Sequence, residues 1–119
     1  MFTENYAAFD PRTIHISNLE SPRTGKPVSN QFVIKSSRYS FFQSYRSLVA
    51  VYDKKERSIT LGPAWDYSRT TLKYLHEWLE SDAFSSWAYI RDEFRGRTFS
   101  ETIRKAIDAG VIDYDADME

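Results

Sequence analysis

The chain has 119 residues, 41% apolar and 16% aromatic, enough for one compact domain with a real core and too apolar for a disordered chain. It contains no cysteine, which excludes disulfides, thiolate catalysis and cysteine-ligated zinc and leans towards a reducing compartment. The net charge of −1 hides a split: residues 108–119 carry five carboxylates and no base, whereas residues 35–73 hold eight bases against three acids. The start, Met1-Phe2-Thr3-Glu4-Asn5-Tyr6, lacks the basic and apolar regions of a signal peptide, and no apolar run is long enough to span a bilayer.

In chain order, the first thirty residues are rich in turn signals: Asp10-Pro11, Ser21-Pro22, Thr24-Gly25 and Lys26-Pro27. Thr13-Ile14-His15-Ile16 alternates and fits a short strand. Residues 1–30 are therefore expected to be an arm, or a loosely attached first strand followed by a long loop. Residues 31–62 read as strands. Gln31 to Ile34, Tyr39 to Tyr45, Ser47 to Tyr52 and Arg57 to Leu61 are rich in β-branched and aromatic residues, with a polar turn at Asp53-Lys54-Lys55-Glu56. Their short separations favour hairpins over crossovers, so the sheet should be antiparallel. Strand 57–61 reads as an edge that could pair across a two-fold axis, so a dimer is one expectation.

Residues 66–110 read as helices. Asp66 or Ser68 can cap the first, in which Leu72, Leu75 and Leu79 form a stripe that Trp78 widens. A second starts at Ser85 or Ser86 with the stripe Trp87, Ile90 and Phe94. A third opens at Thr98-Phe99-Ser100-Glu101, a capping-box sequence, and Gly110 suits its C′ position. Within the acidic tail 111–119, Val111-Ile112 is expected to pack back on the core and the residues after it to fray. The fold class is α+β: a single domain, 1–119, with a small antiparallel sheet of three to four strands followed by two to three helices packed on it.

The chain shows little catalytic chemistry. His15 and His76 are far apart and stand in no metal-ligand spacing. Thr24-Gly25-Lys26 resembles the end of a phosphate loop, but position 20 is Glu and Pro27 follows, so it reads as a turn. Glu77 with Glu80, and Asp92 with Glu93, are carboxylate pairs that a solvated helix face explains without a base or a pocket. No catalytic, cofactor or metal site is expected. Ser68-Arg69-Thr70-Thr71 is more suggestive, because hydroxyls and free N–H groups at a helix start suit an anion, and Trp65 and Tyr67 flank it. Plain capping would use the same residues. The basic segment 35–73 is also interleaved with Tyr39, Phe41, Phe42, Tyr45, Tyr52, Trp65 and Tyr67. Bases could stack on such rings while Lys and Arg hold phosphates, although strand alternation must send about half of the rings inward. Tyr45, Arg46, Trp65, Tyr67, Arg69 and Lys73 are the candidate partner- or anion-binding residues.

Three segments carry a resemblance: Asn30-Gln31-Phe32-Val33-Ile34, Phe42-Gln43-Ser44-Tyr45-Arg46-Ser47-Leu48-Val49-Ala50, and Trp65-Asp66-Tyr67-Ser68-Arg69-Thr70-Thr71-Leu72-Lys73-Tyr74-Leu75. Together they resemble an uncharacterised family of small proteins encoded by bacteriophages and other mobile elements of bacteria. The resemblance implies a phage or mobile-element origin and a cytoplasmic site of action in the bacterial host, and it implies no catalytic residue. The expected function is a non-catalytic binder of a host protein or ribonucleoprotein complex, such as an inhibitor of a bacterial defence system of the anti-CRISPR kind. The competing expectation is a nucleic-acid-binding accessory protein that uses the basic, aromatic segment 35–73. An enzyme would need two titratable groups brought together in a pocket.

Overall fold

A computed structural model of the chain describes residues 14–118; residues 1–13 of the expected arm, with Thr13 of its short strand, and Glu119 of the tail lie outside the described residues. Six strands lie side by side in sequence order: β1 (His15–Glu20), β2 (Pro27–Lys35), β3 (Tyr39–Ser44), β4 (Ser47–Asp53), β5 (Ser58–Leu61) and β6 (Asp113–Tyr114). The first five form an antiparallel meander, and β6 pairs parallel with β5. A 3-10 turn at Pro63–Asp66 leads into three helices, α1 (Arg69–Asp82), α2 (Phe84–Glu93) and α3 (Phe99–Asp108).

The class is α+β, as the order of strands and helices implies, but the sheet has six strands rather than three to four and is mixed rather than wholly antiparallel. Each added strand has a physical reason for its weak signal. In β1, whose start overlaps the short alternation read at 13–16, only Leu19 is buried, so nothing in the sequence marks the strand onward to Glu20. The long loop expected after it is a six-residue turn, 21–26, closed by Ser21 N–H donating to Lys26 O (2.9 Å) and Gly25 N–H donating to Ser21 O (2.8 Å). Gly25 supplies the left-handed φ of +71° that the turn needs.

At the other end, the tail expected to fray is tied down. Asp115 N–H donates to Leu61 O at 2.9 Å, and Met118 is buried. Gly62 makes that docking feasible: a Cβ there would lie 2.8 Å from Met118 Cβ. Strand β5 is therefore flanked by β4 and β6, and the edge expected at 57–61 is covered within the chain at Thr60 and Leu61.

The register sorts the sheet into two faces. Ser40, Phe42 and Ser44 face the helices, where Phe42 stacks on Trp78 with ring centroids 6.3 Å apart. Leu75, Leu79, Trp87, Ile90, Ile103 and Ala106 complete this core from the helical side, so the predicted stripes point inward. Each such large side chain contributes about 1.5–3 kcal/mol by leaving water. Tyr39, Phe41, Val51 and Met118 form a second apolar cluster on the opposite face.

Helix ends follow the expected chemistry. Ser68, not Asp66, caps α1: its Oγ accepts Thr71 N–H at 3.1 Å. Thr98 Oγ1 accepts Glu101 N–H at 3.1 Å and opens α3. That helix closes with Val111 N–H on Ala106 O and Gly110 N–H on Ile107 O, both 3.0 Å, around Gly110 at φ +76°. Helix α2 begins at Phe84, slightly before Ser85, because Ala83 breaks α1 and caps α2 through its backbone alone.

Candidate functional site

Strands β3 and β4 are joined by two residues, Tyr45 and Arg46. So tight a hairpin asks for left-handed backbone, normally given by glycine or asparagine. Here Tyr45 takes it, at φ +55°. Its N–H donates to Asn30 O (2.6 Å) and its carbonyl accepts Gln43 Nε2 (2.9 Å), so the turn is held against β2 and β3 while the ring stays outside, 48% exposed. A bulge just behind the turn leaves Val49 unpaired with β3, and its carbonyl accepts Gly62 N–H at 2.8 Å. That bond brings the chain entering the 3-10 turn alongside the hairpin.

A groove of about 600 Å³ opens between this hairpin tip and the start of α1. Its size falls in the range of ligand and docking sites. Ser44, Ser47, Ser68, Thr70 and Thr71 bring hydroxyls, Val49 and Ala64 bring apolar surface, and Tyr45 and Tyr67 bring rings. Among the described residues lining it, Arg46 is the only charged one. Ser44 Oγ and Ser68 Oγ each lie 3.1 Å from Thr71 Oγ1, a hydroxyl chain that ties the sheet to the helix cap.

Behind this wall lies a residue whose bonding is incomplete. Gln31 is fully buried, and neither its Nε2 nor its Oε1 has a hydrogen-bond partner. It pairs with Ser44 across β2 and β3, so its side chain leaves the sheet on the same side as Ser44. An unpaired buried amide costs about 1–3 kcal/mol.

The six candidate residues do not form one site. Tyr45, Arg46 and Tyr67 line the groove. Trp65 is buried, with the Arg104 guanidinium 5.2 Å above its ring and a separate depression beside it. Arg69 and Lys73, one helical turn apart, lie together along a shallow groove against α3 with Leu72 and Phe99. Ser44 and Ser47 line the groove without having been singled out, whereas Thr70 and Thr71 belong to the helix-start run already read as suited to an anion; Gln31 lies behind them, outside the lining. Serine at a strand end and glutamine in a strand carry no mark until the register shows which face they occupy.

The basic, aromatic segment also divides. Tyr39, Phe41, Phe42, Tyr52 and Trp65 are buried, and only Tyr45 and Tyr67 of the seven rings are exposed. Lys35, Arg38, Lys54, Lys55 and Arg57 sit at the end of the sheet opposite Arg46, roughly 20 Å away by strand length. Some are committed: Arg38 makes a two-pronged pair with Asp53 (3.0 and 2.8 Å), and Lys35 Nζ lies 3.5 Å from Asp82. Burial alone would raise the Asp53 carboxyl, but hydrogen bonds from Arg38 and from the N–H groups of Glu56 and Lys55 outweigh it, so its pKa falls below the ordinary carboxylate value.

The other chemical candidates are absorbed into structure. Glu80, half of the Glu77 and Glu80 pair, accepts from Trp87 Nε1 (2.7 Å) and Arg91 (3.2 Å), and His76 Nε2 is 3.4 Å away. The His76 ring stacks on Phe99 at 4.6 Å. His15 is exposed on β1, and Thr24-Gly25-Lys26 forms the β1–β2 turn. Among the described residues, no group of three or more histidines and carboxylates is placed to hold a metal. No described helix is long and apolar enough to cross a membrane.

The chain belongs to a family of unknown function, DUF8033, whose family model matches residues 15–96. That span runs from β1 to just past α2 and includes both walls of the groove. No curated protein and no solved structure matches the chain.

Proposed function

We propose that this chain is a non-catalytic binding protein that seats a macromolecular partner of a bacterial host in the groove between the β3–β4 turn and the start of α1. The observation that carries the reading is the convergence of Tyr45 and Tyr67, 48% and 80% exposed, on one groove in a segment whose other rings are buried. Exposed tyrosines give wide contact area for little lost side-chain freedom. The backbone at Tyr45 supports the same reading. A left-handed residue other than glycine costs about 1–2 kcal/mol, so the turn gives up stability at the point where the ring projects.

A protein or ribonucleoprotein partner fits this surface better than naked nucleic acid. Stacking along a strand needs a run of exposed rings beside a continuous basic track. Here the groove holds two rings and Arg46; Arg69 and Lys73 lie along a separate shallow groove against α3, and the other five bases of segment 35–73 lie at the far end of the sheet. The resemblance to small phage and mobile-element proteins extends the reading to the host cytoplasm, and inhibition of a bacterial defence complex is its sharpest form. Single-stranded nucleic acid in the same groove is the alternative, favoured by the pairing of Arg46 with the two rings.

The test is capture from bacterial lysate on the immobilised full chain, with and without nuclease, comparing the natural sequence with a Tyr45→Asn, Tyr67→Ala double variant. The reading expects a nuclease-resistant partner that the double variant loses without melting at a lower temperature. A partner released by nuclease, with affinity falling steeply with salt, would favour the alternative. Equal capture by both proteins would remove the groove from the function.

A further inference from the structure

Among the described residues, the groove lining carries one formal charge, that of Arg46, and no carboxylate. Five hydroxyl residues surround that charge. At the start of α1, Ser68 satisfies Thr71 N–H through its side chain and Leu72 N–H through its carbonyl. The cap leaves the amides of Arg69 and Thr70 for a group outside the helix, at the end where the helix dipole favours negative charge. Gln31 lies outside this lining, within the protein. It is 0% exposed, neither amide atom is bonded, and its register with Ser44 sets it behind the groove wall on the groove side of the sheet. Buried side-chain amides with both ends unpaired are rare in folded proteins.

We propose that the groove takes a single Asp or Glu carboxylate from an extended acidic segment of a partner protein, with the neighbouring residues of that segment lying between Tyr45 and Tyr67. This rests on the groove being the working surface, as proposed above. Charge selects the class of partner. One guanidinium with hydroxyl donors around it complements one carboxylate. A nucleic-acid strand brings a phosphate with every nucleotide and needs several bases in line, whereas Lys35, Arg38, Lys54, Lys55 and Arg57 lie beyond the far end of the strands.

The isotope-labelled full chain, titrated by NMR, provides the test. The probes are a capped hexapeptide with one Glu in a Gly/Ser/Tyr background, the same peptide with Gln, and a ten-residue oligothymidylate. The Glu peptide is expected to shift the amides of residues 44–47 and 67–71, and the Gln peptide to bind about 10- to 100-fold more weakly. Arg46→Gln should erase that difference. Equal affinity for the two peptides, shifts confined to other surfaces, or no shift at millimolar peptide overturns the proposal. Preference of the groove for the oligothymidylate also overturns it. Failure here alongside partner capture that depends on Tyr45 and Tyr67 would leave the groove standing as a docking surface; capture indifferent to those tyrosines would remove the underlying reading itself.

Discussion

The two ends of helix α1 treat their polar groups in opposite ways. At its C-terminal end, Asp82 accepts Ser40 Oγ–H at 2.7 Å, Ser40 Oγ in turn accepts Trp78 Nε1–H at 3.1 Å, and Lys35 stands by the same carboxylate. Two residues earlier, Glu80 takes hydrogen bonds from Trp87 and Arg91. These groups are matched within the chain, so they hold α1 to the sheet and to α2 and have little left for a ligand. At the N-terminal end the hydroxyls bond to one another, Gln31 is matched by nothing, and two tyrosine rings project into water. A saturated network spends its bonding on the fold, whereas an unsaturated one beside an open groove keeps bonding capacity for a partner.

Substitutions at the two ends should therefore differ in kind, and the largest effect belongs to the saturated end. Trp78→Ala removes a fully buried ring stacked on Phe42 together with the donor to Ser40, and should destabilise the protein by about 3–5 kcal/mol in urea unfolding. A loss below about 1 kcal/mol would show that this end is not the anchor.

Asp53, at the same end of the sheet, should follow. Its folded pKa is depressed, so its contribution is complete above the ordinary carboxylate range and disappears as pH falls through the depressed value. Asp53→Asn should cost about 1–2 kcal/mol near neutral pH, because Arg38 then loses its charged partner. Unfolding free energies measured across acid pH should converge for the two proteins, and parallel curves would count against the pair.

At the unsaturated end the sign should reverse. Gln31→Met replaces an unpaired buried amide by an apolar side chain of similar length and should stabilise the fold by about 1 kcal/mol, visible as a higher midpoint in urea. Destabilisation would mean that the amide is already satisfied inside the protein. The smallest stability effect belongs to Tyr67→Ala, within about 0.5 kcal/mol because the ring is 80% exposed, and the same variant should lose the partner.

Much of this fold could be read along the chain, because its signals are local. The meander from β2 to β5 shows in the β-branched and aromatic runs, and the caps at Ser68, Thr98 and Gly110 act within four residues of themselves. The outer strands were fainter: β1 showed only the short alternation at 13–16, and β6 showed nothing. β1 buries only Leu19, and β6 is two exposed residues within an acidic stretch, paired to a strand more than fifty positions earlier.

The site was half legible for a related reason. Sequence places Trp65, Tyr67, Arg69 and Lys73 side by side, but the 3-10 turn sends Trp65 into the core and the helical period carries Arg69 and Lys73 round towards α3. Tyr45 and Arg46 were visible as an aromatic beside a base. Their partner Tyr67 is brought to them by the bulge at Val49 and its bond to Gly62, which no local pattern announces.

The most direct measurement is site-specific photo-crosslinking in bacterial lysate, with a benzophenone side chain placed at Tyr67 in one sample and at Tyr89, a ring 59% exposed on α2, in the other. A groove that docks the partner predicts a discrete crosslinked product from position 67 and none from position 89. Equal crosslinking from both positions, or a product from position 89 alone, would contradict it.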